Sequence, residues 1–262
     1  MNKLELRQII LRAATLLAIA SSAALCNAQG DPDSKKPKSE PSSSPGQKVA
    51  SPPQAPAPAG ATTPKRLLYR PPQRGAPAVR VNAGSRGAAE SLPALYVLAP
   101  NHAGLTTQSQ PTLYWYLSGP TAHVEISLFL ENDPKPLLEL KLKGVTQAGI
   151  QKLSLSQQGV TLRPNLEYQW VVALVPDANN RSKDLVASAV VKRIAPTPAL
   201  KEKTASAKAP ELPMIFADNG IWFDAFDALL NWMAAKPKDA EAVDQITALL
   251  EQVGLQEVKI KP

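Results

Sequence analysis

Cysteine is almost missing from this sequence: Cys26 is the only one in 262 residues, so no disulfide can form within the chain. It ends an N-terminal apolar run. If it leaves with that run, thiol catalysis, Cys-ligated zinc and iron–sulfur clusters are excluded. Histidine is nearly as scarce. His102 and His123 are the two present, and neither has the paired acid or cysteine spacing that a metal site needs. The chain also has no Gly-x-Ser-x-Gly elbow, His-Glu-x-x-His helix, phosphate-cradling glycine loop or dinucleotide fingerprint. No cofactor, metal or catalytic residue is therefore expected, and the protein reads as a non-enzyme. Aromatic residues are 5% of the chain against 44% hydrophobic, so the core must be mostly aliphatic with a few rings. The formal charge of +7 is a mild excess for this length and not a nucleic-acid footprint.

What is present begins with a leader. Lys3, Arg7 and Arg12 precede an apolar run from Ala13 to Leu25, and Asn27-Ala28 offers a small-residue exit before Gln29. A helix over that run would span roughly 20 Å, short of a hydrocarbon core of about 30 Å, so residues 1–28 are expected to be a cleaved secretory signal peptide. Lipidation at Cys26 is the alternative, disfavoured because Leu25 stands where a small residue is wanted. The expectation is an exported protein, in the periplasm or at the cell surface, with no stable transmembrane segment after cleavage.

Residues 29–64 are Pro, Ser, Ala, Lys and Gln with almost no large apolar side chain, as in Pro52-Pro53-Gln54-Ala55-Pro56-Ala57-Pro58. Such chain cannot offset its ordering entropy by burial and is expected to be a disordered linker. Residues 65–94 form a basic extended segment, Lys65-Arg66-Leu67-Leu68-Tyr69-Arg70 and onward, in which every charge is positive until Glu90. From 95 to 194, apolar and polar residues alternate at period two in short runs bounded by Gly, Pro, Asn and Asp. Leu113, Trp115 and Leu117 share one face. So do Val124, Ile126, Leu128 and Leu130, and later Tyr168, Trp170, Val172 and Leu174. The last run, Leu185 to Ile194, is apolar on both faces near its middle, which leaves its inward side open. About seven strands with no long helix between them predict an antiparallel β-sandwich of immunoglobulin or fibronectin III type. Leu162 to Tyr168 resembles a tyrosine corner, and Trp115, Tyr168 and Trp170 are the expected structural core.

After a second Pro/Ala/Lys stretch, 195–213, expected as a linker, the period changes. Ile221, Trp222, Ala225, Phe226, Leu229, Leu230 and Met233 recur at three- and four-residue steps, and Val243, Ile246, Leu249, Leu250 and Val253 repeat the pattern. Residues 214–257 are thus expected as a pair of α-helices packed on the sandwich. Pro237 suits the first turn of the second helix, Asp239 and Glu241 complement its positive end, and Gly254 closes it. Asp218 reads as a helix N-cap and Asp227 as part of a solvated face.

Several of these residues together resemble a family. Arg74-Gly75-Ala76-Pro77, Arg80, Gly84-Ser85-Arg86-Gly87, Leu105-Thr106, Pro111-Thr112, Trp115-Tyr116, Tyr168-x-Trp170 and Asn219-Gly220-Ile221-Trp222-Phe223-Asp224-Ala225 are similar to the cyanobacterial family catalogued as domain of unknown function 928, from about Tyr69 to about Leu255. Phe223 stands where the family often has Tyr, and Ala83 where it has a second Gly. The resemblance implies export and a sandwich-plus-helices layout; it implies no activity and carries over no catalytic residue.

The functional expectation is an exported, non-catalytic cell-envelope protein, probed through a candidate interaction surface of Arg70, Arg74, Arg80, Arg86, Gly220 and Trp222. Its partner would be an envelope protein or an anionic polymer, not nucleic acid, and the chain itself a monomer. One alternative is a carbohydrate-active hydrolase using the clustered carboxylates Asp218, Asp224 and Asp227. Another is a structural or assembly component that binds a partner through its C-terminal helices.

Overall fold

Alternation along the chain becomes two facing sheets. The computed structural model describes residues 66–72 and 92–260, all within one compact unit, Pro64–Pro262. The expected leader, the linker over 29–64 and most of the basic segment lie outside the described residues.

The strands are β1 (Leu95–Val97), β2 (Gly104–Thr106), β3 (Thr112–Leu117), β4 (Val124–Leu130), β5 (Pro136–Lys141), β6 (Gly149–Ser154), β7 (Glu167–Leu174) and β8 (Leu185–Arg193). One sheet has the order β1-β3-β6 and the other β2-β8-β7-β4-β5. This is an immunoglobulin/fibronectin III-like sandwich. Two features go beyond the expected layout. The opening strand is split, because the chain leaves the first sheet after β1 and enters the second as β2, which makes eight strands rather than seven. Having crossed over, β2 runs beside β8 in the same direction, so this pairing is parallel while the others are antiparallel.

Register decides which side of β8 faces inward. Tyr168, Trp170, Val172 and Leu174 of β7 stand opposite Val191, Ala189, Ala187 and Leu185 of β8. Directly opposed residues share a face, so these four β8 residues line the core and Val186, Ser188 and Val190 face away. The small Ala187 and Ala189 leave room for the indole of Trp170. Trp115 and Trp170 are fully buried between the sheets, with Leu113, Leu117, Ile126 and Leu128 around them. At about 25 cal/mol per Å² of apolar area, each large side chain buried there contributes about 2–3 kcal/mol. The tyrosine corner is formed as expected: the Arg163 N–H donates to Tyr168 Oη at 2.8 Å.

Four helices follow the sandwich: α1 (Pro198–Ser206), α2 (Leu212–Asp218), α3 (Trp222–Ala235) and α4 (Ala240–Glu251). The expected pair corresponds to α3 and α4. The stretch 195–213, expected as a linker, holds α1 and the start of α2. Thr197 caps α1 by accepting the Leu200 N–H at 3.2 Å, and Pro198 occupies its first turn. Only Leu200 of α1 is buried. A helix that is polar nearly all round offers no apolar period, so its sequence looks like linker.

Two capping expectations are corrected. Asp218 is the last residue of α2, not an N-cap; the cap position of α3 is Ile221, which makes no side-chain cap bond. Pro237 precedes α4 rather than sitting in its first turn, because Asp239 is the N-cap and accepts the Glu241 N–H at 3.1 Å. Gly254, at a φ of 72°, does close α4, and the Leu255 N–H reaches back to the Leu250 carbonyl at 2.9 Å. Among the described residues, no helix is long and apolar enough to cross a membrane.

Candidate functional site

The chemistry-bearing residues collect where α3 meets β2 and β3. The fit is close: a Cβ at Gly104 of β2 would lie 2.6 Å from the Phe223 ring, so only glycine admits the helix at this distance. The next residue, Asp224, faces the end of β2. Its carboxylate accepts the Thr106 and Thr107 hydroxyls and the Thr107 N–H, the last at 3.1 Å. Asp224 is only 5% exposed. Burial pushes its carboxyl above the ordinary aspartate range, the nearby Asp227 adds to the rise, and the threonine hydrogen bonds offset part of it. Asp227 is not on a fully solvated face. It is half-buried, accepting from the Tyr114 hydroxyl and from Asn231 Nδ2 at 3.0 Å. Burial and this carboxylate together raise the Tyr114 phenol well above its usual value.

A run of rings connects the same region. Tyr114 meets Phe226 edge-on at 5.3 Å, Phe226 stacks on Trp222 at 6.1 Å, Trp222 meets Tyr69 edge-on at 5.2 Å, and Tyr69 stacks on His102 at 6.0 Å. The Trp222 indole N–H donates to the Leu98 carbonyl at 3.0 Å. Each edge-on or offset pair adds about 0.5–1.5 kcal/mol beyond its buried area. Tyr69 is the member of this series that comes from the basic segment.

That segment, as far as it is described, crosses α4 and the end of α2 as an extended strap. Leu67 and Tyr69 point in and are buried; Arg66, Leu68 and Arg70 point out. Gln245 of α4 and Gln252, the residue that caps its C-terminal end, hold its backbone. Gln245 Oε1 accepts the Leu67 N–H at 2.7 Å, while Gln252 accepts the Tyr69 N–H at 2.9 Å and donates to the Leu67 carbonyl at 3.0 Å. The Arg70 N–H donates to the Ala217 carbonyl at 3.0 Å. A Cβ on Gly220 would lie 2.7 Å from the Arg70 carbonyl oxygen, and Gly220 itself has a φ of 72°, so two independent constraints require glycine there. Arg66 pairs with Glu251 at 2.6 Å and Arg70 with Asp218 at 3.4 Å.

A profile of the family described as Domain of Unknown Function (DUF928) matches residues 81–262. The chain belongs to the DUF928 family. The DUF928 match begins later than the resemblance from Tyr69 suggests and runs past Leu255 to the C-terminus. The strap therefore lies N-terminal to the DUF928 region whose helices hold it. No curated protein matches the sequence. Among solved structures, the chain is similar to the fibronectin type III domain of the human collagen alpha-1(XX) chain, at 14% identity over 44% of this chain and 94% of that one, with a TM-score of 0.25. It is also similar to a DUF3244 family protein with an immunoglobulin-like β-sandwich fold from Bacteroides vulgatus, at 12% identity over 44% of this chain and 98% of that one, with a TM-score of 0.26.

Of the interaction surface expected from the sequence, Arg70 is described and exposed, while Arg74, Arg80 and Arg86 lie outside the described residues. Gly220 and Trp222 are corrected. Both are buried, Trp222 completely, because the strap and the sandwich cover them. Their part is to seat the strap. The three aspartates have separate partners: Arg70 for Asp218, the threonines for Asp224, Tyr114 and Asn231 for Asp227. Of the histidines, His102 joins the ring series and His123 is exposed. Sequence reasoning does not single out Gln245 and Gln252. The available signal is that Gln245, 3% exposed, interrupts an otherwise apolar face beside Ala242, Ile246 and Leu249, with Gln252 two turns further along the same face.

Proposed function

We propose that this DUF928 protein is an exported, non-catalytic envelope component whose folded body presents a basic N-terminal segment to an anionic envelope polymer or an acidic protein. The carrying observation is the anchoring of Arg66 to Arg70 by α2 and α4. It leaves the Arg70 side chain 67% exposed at the start of a stretch whose charges stay positive as far as Glu90. Holding one end of a charged strip lowers the conformational cost of binding through it. Arginine over lysine from Arg70 to Arg86 suits planar, two-point recognition of carboxylate or phosphate. The leader-like residues 1–28 and the Pro-rich arm support export and reach.

Asp224, buried with its oxygens taken up by Thr106 and Thr107, favours this reading over glycoside hydrolysis, which needs two carboxylates open to one cleft. The test is binding of the purified chain to isolated cell-wall and outer-membrane fractions. Binding should fall as salt rises and fall again in an Arg74→Ala, Arg80→Ala, Arg86→Ala variant. Salt-independent binding, or retention unchanged by the triple substitution, would remove the basic strip from the account.

A further inference from the structure

The hold on the strap is that of a peptide-binding groove on its ligand. Side-chain amides two helical turns apart engage main-chain N–H and C=O groups, alternate side chains enter the core, and an ion pair closes each end. Backbone-directed amide bonds with pockets for alternate side chains are the physics of extended-peptide recognition. The ligand here comes from far along the same chain, 178 to 185 residues from the glutamines that grip it. It also stands outside the DUF928 match.

We infer that the groove formed by α2, α3 and α4 is an exchangeable peptide site, and that the partner it fits is the Arg66–Arg70 segment of a second copy of this chain. Four residues specify the ligand: Leu67 and Tyr69 fill the interior, and Arg66 and Arg70 meet Glu251 and Asp218; Leu68, 54% exposed, is free of the groove. Leu92 stands twenty residues after Pro72, and at about 3.3–3.6 Å per residue a chain of that length bounds the distance between them at roughly 70 Å. Exchange of an identical element between protomers needs no contact that the single chain lacks. In the isolated chain the attached segment wins, because tethering gives it a millimolar effective concentration. Crowding of copies shifts the balance towards exchange. This inference goes beyond the binding of anionic polymer proposed above and does not depend on it.

Two full-length variants test it by complementation. A Leu67→Ala, Tyr69→Ala chain keeps the groove and loses the ligand; a Gln245→Ala, Gln252→Ala chain keeps the ligand and loses the grip. Mixed in equal amounts and followed by light scattering, the two should form a one-to-one dimer that neither forms alone. Excess synthetic peptide spanning Arg66 to Pro72 should dissolve it. Absence of a mixed dimer overturns the inference. A measurement on the unmodified chain guards against misfolded variants: the Leu67 and Tyr69 amides should exchange with solvent at least about tenfold faster than those of Trp170 and Val172, since an exchangeable segment must open without global unfolding. Equal protection of the two sets makes the strap an inseparable part of the core and overturns it as well.

Discussion

Trp170 and Trp222 are both completely buried, yet they are held in different ways. Between the sheets, the indole N–H groups of Trp170 and Trp115 have no hydrogen-bond partner among the described residues, and the rings sit in the apolar cluster. Under the strap, the Trp222 N–H is bonded to the Leu98 carbonyl, and around it Asp224, Gln245 and Gln252 direct hydrogen bonds at named backbone groups. The sandwich thus tolerates polar atoms left unpaired because area dominates there, while the helical face specifies one arrangement by pairing. Contact energy without direction makes a core; contact energy with direction makes a docking site. That difference explains why a strap outside the family match can be seated so definitely.

The comparison breaks most visibly at Asp224. Asp224→Ala leaves the Thr107 N–H and the threonine hydroxyls unpaired in a dry site, and should cost about 3–5 kcal/mol in urea unfolding. Asp224→Asn keeps an acceptor and a donor in the same place and should cost much less. The charge also has a pH signature. Because the folded-state carboxyl titrates above its unfolded value of about 3.9, the folded protein holds that proton more firmly. Its contribution to stability is therefore present in acid and lost as pH rises through the folded value. The unmodified chain should lose stability relative to Asp224→Asn as pH rises above the unfolded value of about 4. A difference that stays constant as pH rises would show Asp224 to be ionised throughout.

A smaller effect sharpens the two-indole contrast. Trp222→Phe and Trp170→Phe remove similar volume, but only the first orphans a carbonyl; it should be the costlier by about 1–2 kcal/mol at equal temperature. Equal costs would mean that the Leu98 bond adds nothing. Within the sandwich, Tyr168→Phe strips the Arg163 N–H of its acceptor and should cost about 1 kcal/mol without changing the fold seen by circular dichroism. Least of all, Arg66→Ala removes an ion pair exposed on both sides and should shift the unfolding midpoint by the equivalent of about 0–1 kcal/mol.

Strand positions in the sandwich were legible because burial on one face imposes a period of two that any single strand displays: Leu113, Trp115 and Leu117, or Tyr168, Trp170 and Val172, announce their inward side without reference to a partner. The inward side of Leu185 to Arg193 was not, since a central strand with small apolar residues on both faces reads alike from either. Only its register against β7 distinguishes Ala187 from Ser188. Amphipathic α3 and α4 were legible for the same reason as the strands, and α1 was not, having one buried residue. At the candidate site the basic charges of the strap could be read directly. Its glutamine grip could not, because a glutamine interrupting the apolar face of α4 names no partner until an extended backbone lies across it.

By itself, then, the sequence determined the class of the fold, the position of its central strands and longer helices, the tyrosine corner, and the sparse cysteine and histidine inventory. All of these follow from properties of residues near one another in the chain. Tertiary structure alone decided that Gly220 and Trp222 lie inside, that β2 runs parallel to β8, that Asp224 faces Thr106 and Thr107, and that Gln245 and Gln252 clasp a strap more than 170 residues away. These depend on which distant segments meet, and a hydrogen bond specifies its partner only once packing has brought donor and acceptor within about 3 Å.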